Sequence, residues 1–116
     1  GTGLVYKKAN VMATNGGMMK LDAHIFDEDA LVIEGNQAHE VSLCDLERKP
    51  YLTVKFDAPL FGLWSPAKKN APFVCIEPWS GRCDAEEFEG TLEERDYGHE
   101  LELNERFVIA YTIVVA

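Results

Sequence analysis

The fold class is decided by the segment Tyr51-Leu52-Thr53-Val54-Lys55-Phe56, in which side-chain character alternates. Leu52, Val54 and Phe56 occupy every second position, and more polar side chains lie between them. This alternation is the pattern of a β-strand that places one face on an apolar core. Pro50 precedes the segment and is expected to open the strand.

Short apolar segments on both sides of this strand predict further strands separated by turns. Leu31 to Glu34 and His39 to Leu43 flank the turn residues Gly35-Asn36, so we expect them to form a hairpin. Phe61 to Ser65 predicts another strand, and no segment shows the periodicity of an amphipathic helix. Many short strands with turn residues between them predict an all-β fold, a β-sandwich.

The segment Arg106–Val115 is predicted to be the longest strand and is apolar on both alternating faces. A strand of this kind is normally covered by a layer on each side. A chain of 116 residues offers little material for two such layers. We therefore expect either a larger sandwich of which this chain is a part, or self-association through exposed sheet edges.

The strand Phe73–Ile76 leads directly into Glu77, Pro78 and Trp79. Pro78 is expected to stop the strand pairing because it has no N–H to donate. A carboxylate beside an indole suits the handling of a sugar ring, since the acid accepts hydroxyl protons and the indole packs on the C–H face. From local sequence alone, a solvated Glu77 on the rim of the sheet is an equally good interpretation.

Composition restricts the partners and the cellular setting. The net charge is −9, and the basic residues are scattered, so no nucleic-acid partner is expected. No apolar run is long enough for a transmembrane helix, and no membrane partner is expected. Cys44, Cys75 and Cys83 lack metal-type spacing, and free thiols without an export signal favour a cytoplasmic location. The acidic stretch from Asp84 to Asp96 is interpreted as a solvated face.

Residues 20–116 resemble the C-terminal part of the aldose 1-epimerases (galactose mutarotases), in particular the LacX-like branch. Residues 1–19 are an irregular lead-in to this region. Four stretches carry the resemblance in the expected order, and the third is the most specific. They are Phe26-Asp27-Glu28-Asp29-Ala30-Leu31-Val32-Ile33, Phe61-Gly62-Leu63-Trp64-Ser65, Pro72-Phe73-Val74-Cys75-Ile76-Glu77-Pro78-Trp79-Ser80-Gly81 and Glu105-Arg106-Phe107.

The resemblance implies a function and a set of site residues. It implies part of a β-supersandwich that interconverts the α and β anomers of a monosaccharide without a metal or other cofactor. Glu77 is then the general base at the anomeric hydroxyl, and Asp29 hydrogen-bonds sugar hydroxyls. Trp64 and Trp79 line the cleft, and His24 lies near the matching region as a further substrate-binding candidate. The histidine that protonates the ring oxygen belongs to an upstream part of the family pattern that this sequence does not contain.

The residues themselves leave alternatives open. Asp29 suits a turn before a strand, Trp64 suits a core, and an isolated histidine such as His24 is more often a surface residue. Three functions therefore remain: an aldose 1-epimerase-like isomerase, a carbohydrate-binding β-sandwich without catalysis, and a structural fragment stabilised by oligomerisation or by pairing with the missing part of the domain.

Overall fold

The computed structural model describes residues 3–116, so Gly1 and Thr2 of the lead-in lie outside the described residues. Six β-strands and no α-helix occur in this range. The strands are β1 (Leu31–Ile33), β2 (Glu40–Cys44), β3 (Pro50–Phe56), β4 (Leu60–Trp64), β5 (Cys75–Trp79) and β6 (Tyr111–Val115).

The strands form two antiparallel sheets of three strands each, in the orders β1-β4-β5 and β2-β3-β6. Each sheet contributes one face to a shared apolar core, so the prediction of an all-β sandwich is confirmed. The chain alternates between the sheets, since β1 lies in one, β2 and β3 in the other, and β4 and β5 in the first again.

The core lies between β3 and β4. Val54 and Phe56 of β3 pack with Phe61 and Leu63 of β4, and the Phe56 and Phe61 ring centroids are 5.4 Å apart. Phe26 closes the cluster from the segment that precedes β1. The alternation predicted for residues 51–56 is confirmed, because the side chains at its apolar positions pack in or against this cluster.

The predicted hairpin of β1 and β2 is wrong. β1 pairs with β4, and β2 pairs with β3. Gly35 and Asn36 do adopt positive φ angles of 82° and 60°, as a turn requires. However, the Asn36 N–H donates to the Pro59 carbonyl at 2.8 Å, which ties this turn to the β3–β4 connection. Leu31 and Val41 then reach the same core from opposite sheets, which a hairpin within one sheet would not allow.

The final strand is also shorter than predicted. Only Tyr111–Val115 is strand, and β3, with seven residues, is the longest element. All five residues of β6 are exposed, including Ile113 at 55% and Val115 at 74%. The opposite sheet covers β3 but does not extend over β6. The apolar side chains of β6 are therefore not buried within residues 3–116.

Pro78 does not end the preceding strand. β5 continues through Glu77 and Pro78, with Trp79 paired to Leu60. This is possible because β5 is an edge strand, the position in a sheet where proline is tolerated. Glu77 is therefore the middle residue of β5 and not the residue that follows it.

Candidate functional site

The sheet β1-β4-β5 has an outer face, directed away from the core. Phe61 and Leu63 of β4 point into the core, so the alternate residues Gly62 and Trp64 point outward. In β5, Ile76 packs against the core, so Glu77 and Trp79 point outward. We call the outward surface formed by Gly62, Trp64, Glu77 and Trp79 the tryptophan face.

Glu77 lies at the centre of the tryptophan face. It is directly opposite Gly62, and its side chain is half-buried. The indole Nε1–H of Trp79 donates a hydrogen bond to Glu77 Oε2 at 3.2 Å. No ion pair to Glu77 occurs within residues 3–116. The carboxylate is thus oriented by an aromatic donor and is not neutralised by a cation of the described chain.

Gly62 allows the Trp79 indole to lie close against the sheet. A Cβ atom built at position 62 would lie 2.7 Å from Trp79 Cζ2, nearer than two carbon atoms can approach without a shift. Leu60, directly opposite Trp79 and on the same face of the sheet, is only 1% exposed, so this part of the face is tightly packed. The absence of a side chain at position 62 therefore determines where the indole lies and, through the Nε1–H, where it meets Glu77.

Trp64 lies on the other side of Glu77. It pairs with Cys75, which makes it a diagonal neighbour of Glu77 across the two strands. Diagonal neighbours have Cα atoms about 7–8 Å apart, within reach of an indole. The Trp64 ring is also in tilted contact with Phe73, at 6.2 Å between centroids. The two indoles therefore flank the carboxylate along the sheet.

A shallow, open groove continues from the tryptophan face. It is lined by residues 78–83 and Ile109. Arg82 forms part of its wall, although only 6% of the Arg82 side chain is exposed. Its Nε donates to Glu34 Oε2 at 2.6 Å, and a terminal nitrogen donates to Asp96 Oδ2 at 3.0 Å. Burial lowers the pKa of the Arg82 guanidinium, but the two carboxylates outweigh this effect and leave it raised.

The segment after β5 has two further contacts, one within the segment itself and one to the turn that follows β1. Arg95 Nε donates to Asp84 Oδ1 at 2.6 Å, and the Gly35 N–H donates to the Tyr97 hydroxyl at 2.9 Å. The interpretation of residues 84–96 as a solvated face is therefore incomplete, because Asp84 and Asp96 are in ion pairs with arginines, and one of these, Arg82, also bonds Glu34 just after β1. The signal available in the sequence was the presence of Arg82 and Arg95 next to and within an acidic stretch.

Asp29 lies away from the tryptophan face. It precedes β1, which is the edge of the sheet opposite β5. Strand spacing and rise separate its Cα from that of Glu77 by roughly 14 Å. Asp29 is exposed, its φ is 119°, and its Oδ1 accepts a hydrogen bond from the Ala30 N–H at 2.7 Å. Such a φ is strained for a residue with a Cβ, and residues strained in this way tend to cluster at functional sites.

His24 is engaged with Asp27 and not with Glu77. Its Nδ1 lies 2.8 Å from Asp27 Oδ2, and its side chain is 82% exposed. The hydrogen bond and charge of Asp27 raise the pKa of His24, and Asp22 adds to the effect. Asp27 also lines a second groove, whose wall includes residues 65–67 and 70–74. Its Oδ1 is buried and has no hydrogen-bond donor within residues 3–116.

The structure thus brings together Trp64, Glu77 and Trp79 and leaves Asp29 and His24 outside this group. The other histidines contact different partners: His39 contacts Asn36, and His99 Nε2 contacts the Ser80 carbonyl at 2.6 Å. Across residues 3–116, no cluster of three or more His, Cys, Asp or Glu side chains is arranged to hold a metal ion. The same residues contain no helix of the length and apolarity needed to span a membrane.

Comparison with known proteins shows similarity to two LacX proteins of Lactococcus lactis subsp. lactis, one chromosomal and one encoded on a plasmid. Each is 33% identical over 82 residues, which is 70% of this chain and 27% of the relative. No protein-family profile matches the chain, and no solved structure matches it. Over most of its length, the chain is similar to LacX proteins, and it spans only about a quarter of theirs.

Proposed function

We propose that this chain is part of an aldose 1-epimerase-like protein in which Glu77 is the general base. Two lines of support concern the family: the four ordered stretches of sequence that resemble aldose 1-epimerases, and the 33% identity to the LacX proteins. The chain is then the C-terminal part of a larger sandwich, beginning near residue 20, whose remaining part would cover the exposed apolar side chains of β6.

One observation carries the chemical proposal: the tryptophan face holds a single carboxylate between two indoles. An indole offers a flat apolar surface on which the C–H groups of a pyranose can pack. Glu77 Oε2 already accepts the Trp79 N–H, and the carboxylate has further acceptor capacity for a sugar hydroxyl. The face therefore has the components for both orienting a sugar ring and removing a proton from it.

Mutarotation is a reaction that would use both the indoles and the carboxylate of the tryptophan face. Glu77 takes the proton from the anomeric hydroxyl, the C1–O5 bond breaks, and an acid delivers a proton to O5 to give the open-chain aldehyde. Rotation about the C1–C2 bond and the reverse steps produce the other anomer, so no atom is gained or lost. Each such proton transfer by a positioned group is typically worth about 10²–10⁴-fold in rate.

The resemblance assigns the acid to an upstream histidine outside this sequence. We therefore propose that the chain supplies the base and the aromatic wall, and that Asp29 binds sugar hydroxyls once the remaining part of the sandwich is present. His24, paired with Asp27, is a further candidate for binding sugar hydroxyls.

A non-catalytic sugar-binding module is the second candidate. It is favoured by the contacts of the three histidines, whose partners are Asp27, Asn36 and the Ser80 carbonyl. None of these contacts places an imidazole beside Glu77. A binding module needs the indoles and hydrogen-bond acceptors of the tryptophan face but no acid.

The test combines polarimetry of freshly dissolved α-galactose and α-glucose with tryptophan fluorescence. The chain contains two tryptophans, both on the tryptophan face, so sugar binding there should change the emission directly. Catalysis predicts mutarotation faster than the buffer blank, abolished in Glu77→Gln and retained in Glu47→Gln. Glu47 is an exposed residue outside the face, and the charge change is the same.

The remaining outcomes are decisive as well. A change in emission without faster mutarotation would rule out catalysis by this chain and support the binding module. If neither sugar alters the emission or the rate, the tryptophan face of this chain alone neither binds nor converts these sugars, and the role of Glu77 must be tested with the remaining part of the sandwich present.

A further inference from the structure

β6 has one edge that no strand of residues 3–116 occupies. It pairs with β3 on one side and is the last strand of its sheet. The Ala116 N–H donates to the Tyr51 carbonyl at 3.2 Å, so the backbone of Ala116 is directed toward β3. Backbone groups of successive residues in an antiparallel strand point to opposite sides. The N–H and C=O groups of Tyr111, Ile113 and Val115 are therefore directed away from β3.

The pairing of β2 with β3 supports this assignment. The Phe56 N–H donates to the His39 carbonyl at 3.0 Å, so the backbone of Phe56 is directed toward β2 and away from its β6 partner, Tyr111. The free edge thus presents three N–H donors and three carbonyl acceptors in alternation, on residues whose side chains are 55–74% exposed.

We propose that this edge pairs with the same edge of a second copy of the chain, antiparallel about a two-fold axis at Ile113. In that register Ile113 faces its own copy, Tyr111 faces Val115 of the second copy, and Thr112 faces Val114. The three outward-directed residues of each strand then form hydrogen-bonded pairs, which gives six inter-chain backbone hydrogen bonds. The result is one continuous sheet of six strands.

Charge favours a second copy at this edge. No charged side chain occurs from Phe107 to Ala116, although the chain carries a net charge of −9. Every cross-strand pair in the proposed register joins uncharged aromatic, β-branched or small side chains, and such pairs stabilise antiparallel sheets. The charged residues that would repel one another lie outside the paired segment.

The other three sheet edges suit self-pairing less well. β1 has only three residues, and β5 contains Pro78, which cannot donate a hydrogen bond. β2 begins at Glu40, which would face a like charge or an apolar residue in a self-paired register. Natural proteins protect exposed edges with short strands, proline and charge, and β6 has none of these protections.

The pairing is expected to be weak and reversible. Specific interfaces bury roughly 1,200–2,000 Å², and a strand of five residues provides a short contact by comparison. Sedimentation equilibrium of the chain should therefore show an average mass that rises with concentration from 13.0 kDa toward twice that value.

Matched variants locate the contact. Ile113→Glu places two carboxylates directly opposite each other at the axis and should weaken association by about tenfold or more. Thr112→Glu adds the same charge to the same strand but faces Val114 of the second copy and lies beside Lys55 of its own, so association should remain near that of the starting chain. Circular dichroism establishes whether each variant is folded.

Hydrogen exchange gives a second measurement that needs no variant. The amides of Ile113 and Val115 should become more protected as concentration rises, whereas the Ala116 amide is already bonded to Tyr51. A chain that stays at 13.0 kDa at every concentration, with no gain in protection, would overturn the proposal. Equal association of the two glutamate variants would overturn the location of the contact.

Discussion

The residue at position 62 controls how Trp79 meets the sheet. Gly62 leaves room for an indole that would otherwise be only 2.7 Å from a Cβ atom. Since Trp79 in turn donates to Glu77, the smallest side chain in the site affects the orientation of its only carboxylate. The positions of these three side chains therefore depend on one another, so a substitution at one should change the conformation of the others.

Gly62→Ala should displace Trp79 and destabilise the chain by about 1–3 kcal/mol, the usual cost of forcing extra volume into a packed contact. The emission of Trp79 should change, because the indole leaves its position against the sheet. The same substitution in a Trp79→Ala background should cost much less, since the clashing ring is gone. Chemical denaturation of the four chains in this cycle measures the coupling, and equal costs in both backgrounds would disprove it.

His24 gives a pH-dependent contribution to stability. Its pKa is raised in the folded chain, first by the hydrogen bond to Asp27 and then by the charge of that residue. A raised folded pKa means that the contribution is complete below the unfolded value of 6.5 and is lost as the pH rises through the folded value. The stability difference between the chain and His24→Gln should therefore shrink from mildly acidic to alkaline pH.

Denaturation midpoints at a series of pH values measure this difference. Asp27→Asn removes the main cause of the raised pKa and should remove most of the pH dependence of the His24→Gln effect. A difference that is constant with pH would show that His24 contributes only through contacts that are independent of its protonation.

At the scale of elements, Arg82 fastens the segment after β5 to the sheet. Its side chain is 6% exposed and bridges Glu34 of the segment following β1 to Asp96. Removing a buried member of an ion pair costs several kcal/mol, but Glu34 and Asp96 are themselves partly exposed and can hydrate. Arg82→Ala should therefore cost about 2–3 kcal/mol, below the usual range for a fully buried pair.

Limited proteolysis should reveal the same change locally. In Arg82→Ala, cleavage within residues 84–98 should become faster, while cleavage within residues 66–72 should stay the same. Lys7→Ala is the matched control, because Lys7 and its partner Glu87 are both more than two-thirds exposed and such pairs contribute little. Equal effects of the two substitutions would show that the Arg82 bridge does not hold the segment.

The sequence predicted the strands of the core better than their partners. Alternating residues identify Leu52, Val54 and Phe56 as core-facing, since period-two burial is a local property. The partner of β1 is not a local property. Gly35 and Asn36 signal a turn in either arrangement, and the hydrogen bond from Asn36 to Pro59, which joins this turn to the β3–β4 connection, links residues that are distant in the sequence.

For the candidate site, the sequence named candidate residues but not the contacts that position them. Trp64, Glu77 and Trp79 were identified from sequence, and the registers of β4 and β5 place them on one face. The role of Gly62 could not be read, because a close approach of an indole depends on a strand that is distant in the sequence. Arg82 was overlooked for the same reason, since its partner Glu34 lies 48 positions away.

For the whole molecule, both the radius of gyration and the exposure of β6 indicate apolar surface that is not buried within the described residues. Its radius of gyration is 16.0 Å, whereas a compact domain of this length has a value of about 13 Å. The exposed residues of β6 lie on this extended surface. A chain with such a surface has more to gain from association than a compact domain has.

The association of two copies should strengthen as salt is added. Each copy carries a net charge of −9, so their mutual repulsion opposes pairing at low ionic strength. Added salt screens this repulsion, while the uncharged contact at β6 loses nothing. Sedimentation equilibrium at rising sodium chloride concentration should show a falling dissociation constant, and a rising constant would indicate a contact held by ion pairs.

The repeated passage of the chain between the two sheets constrains how the molecule can be divided. A backbone cut at residues 57–59 would separate β1, β2 and β3 from β4, β5 and β6, and each piece would hold strands of both layers. Neither piece could then complete a layer from its own residues. The two halves are expected to be unstructured when separate and to regain their shape only when mixed, so this small chain should behave as a single cooperative unit.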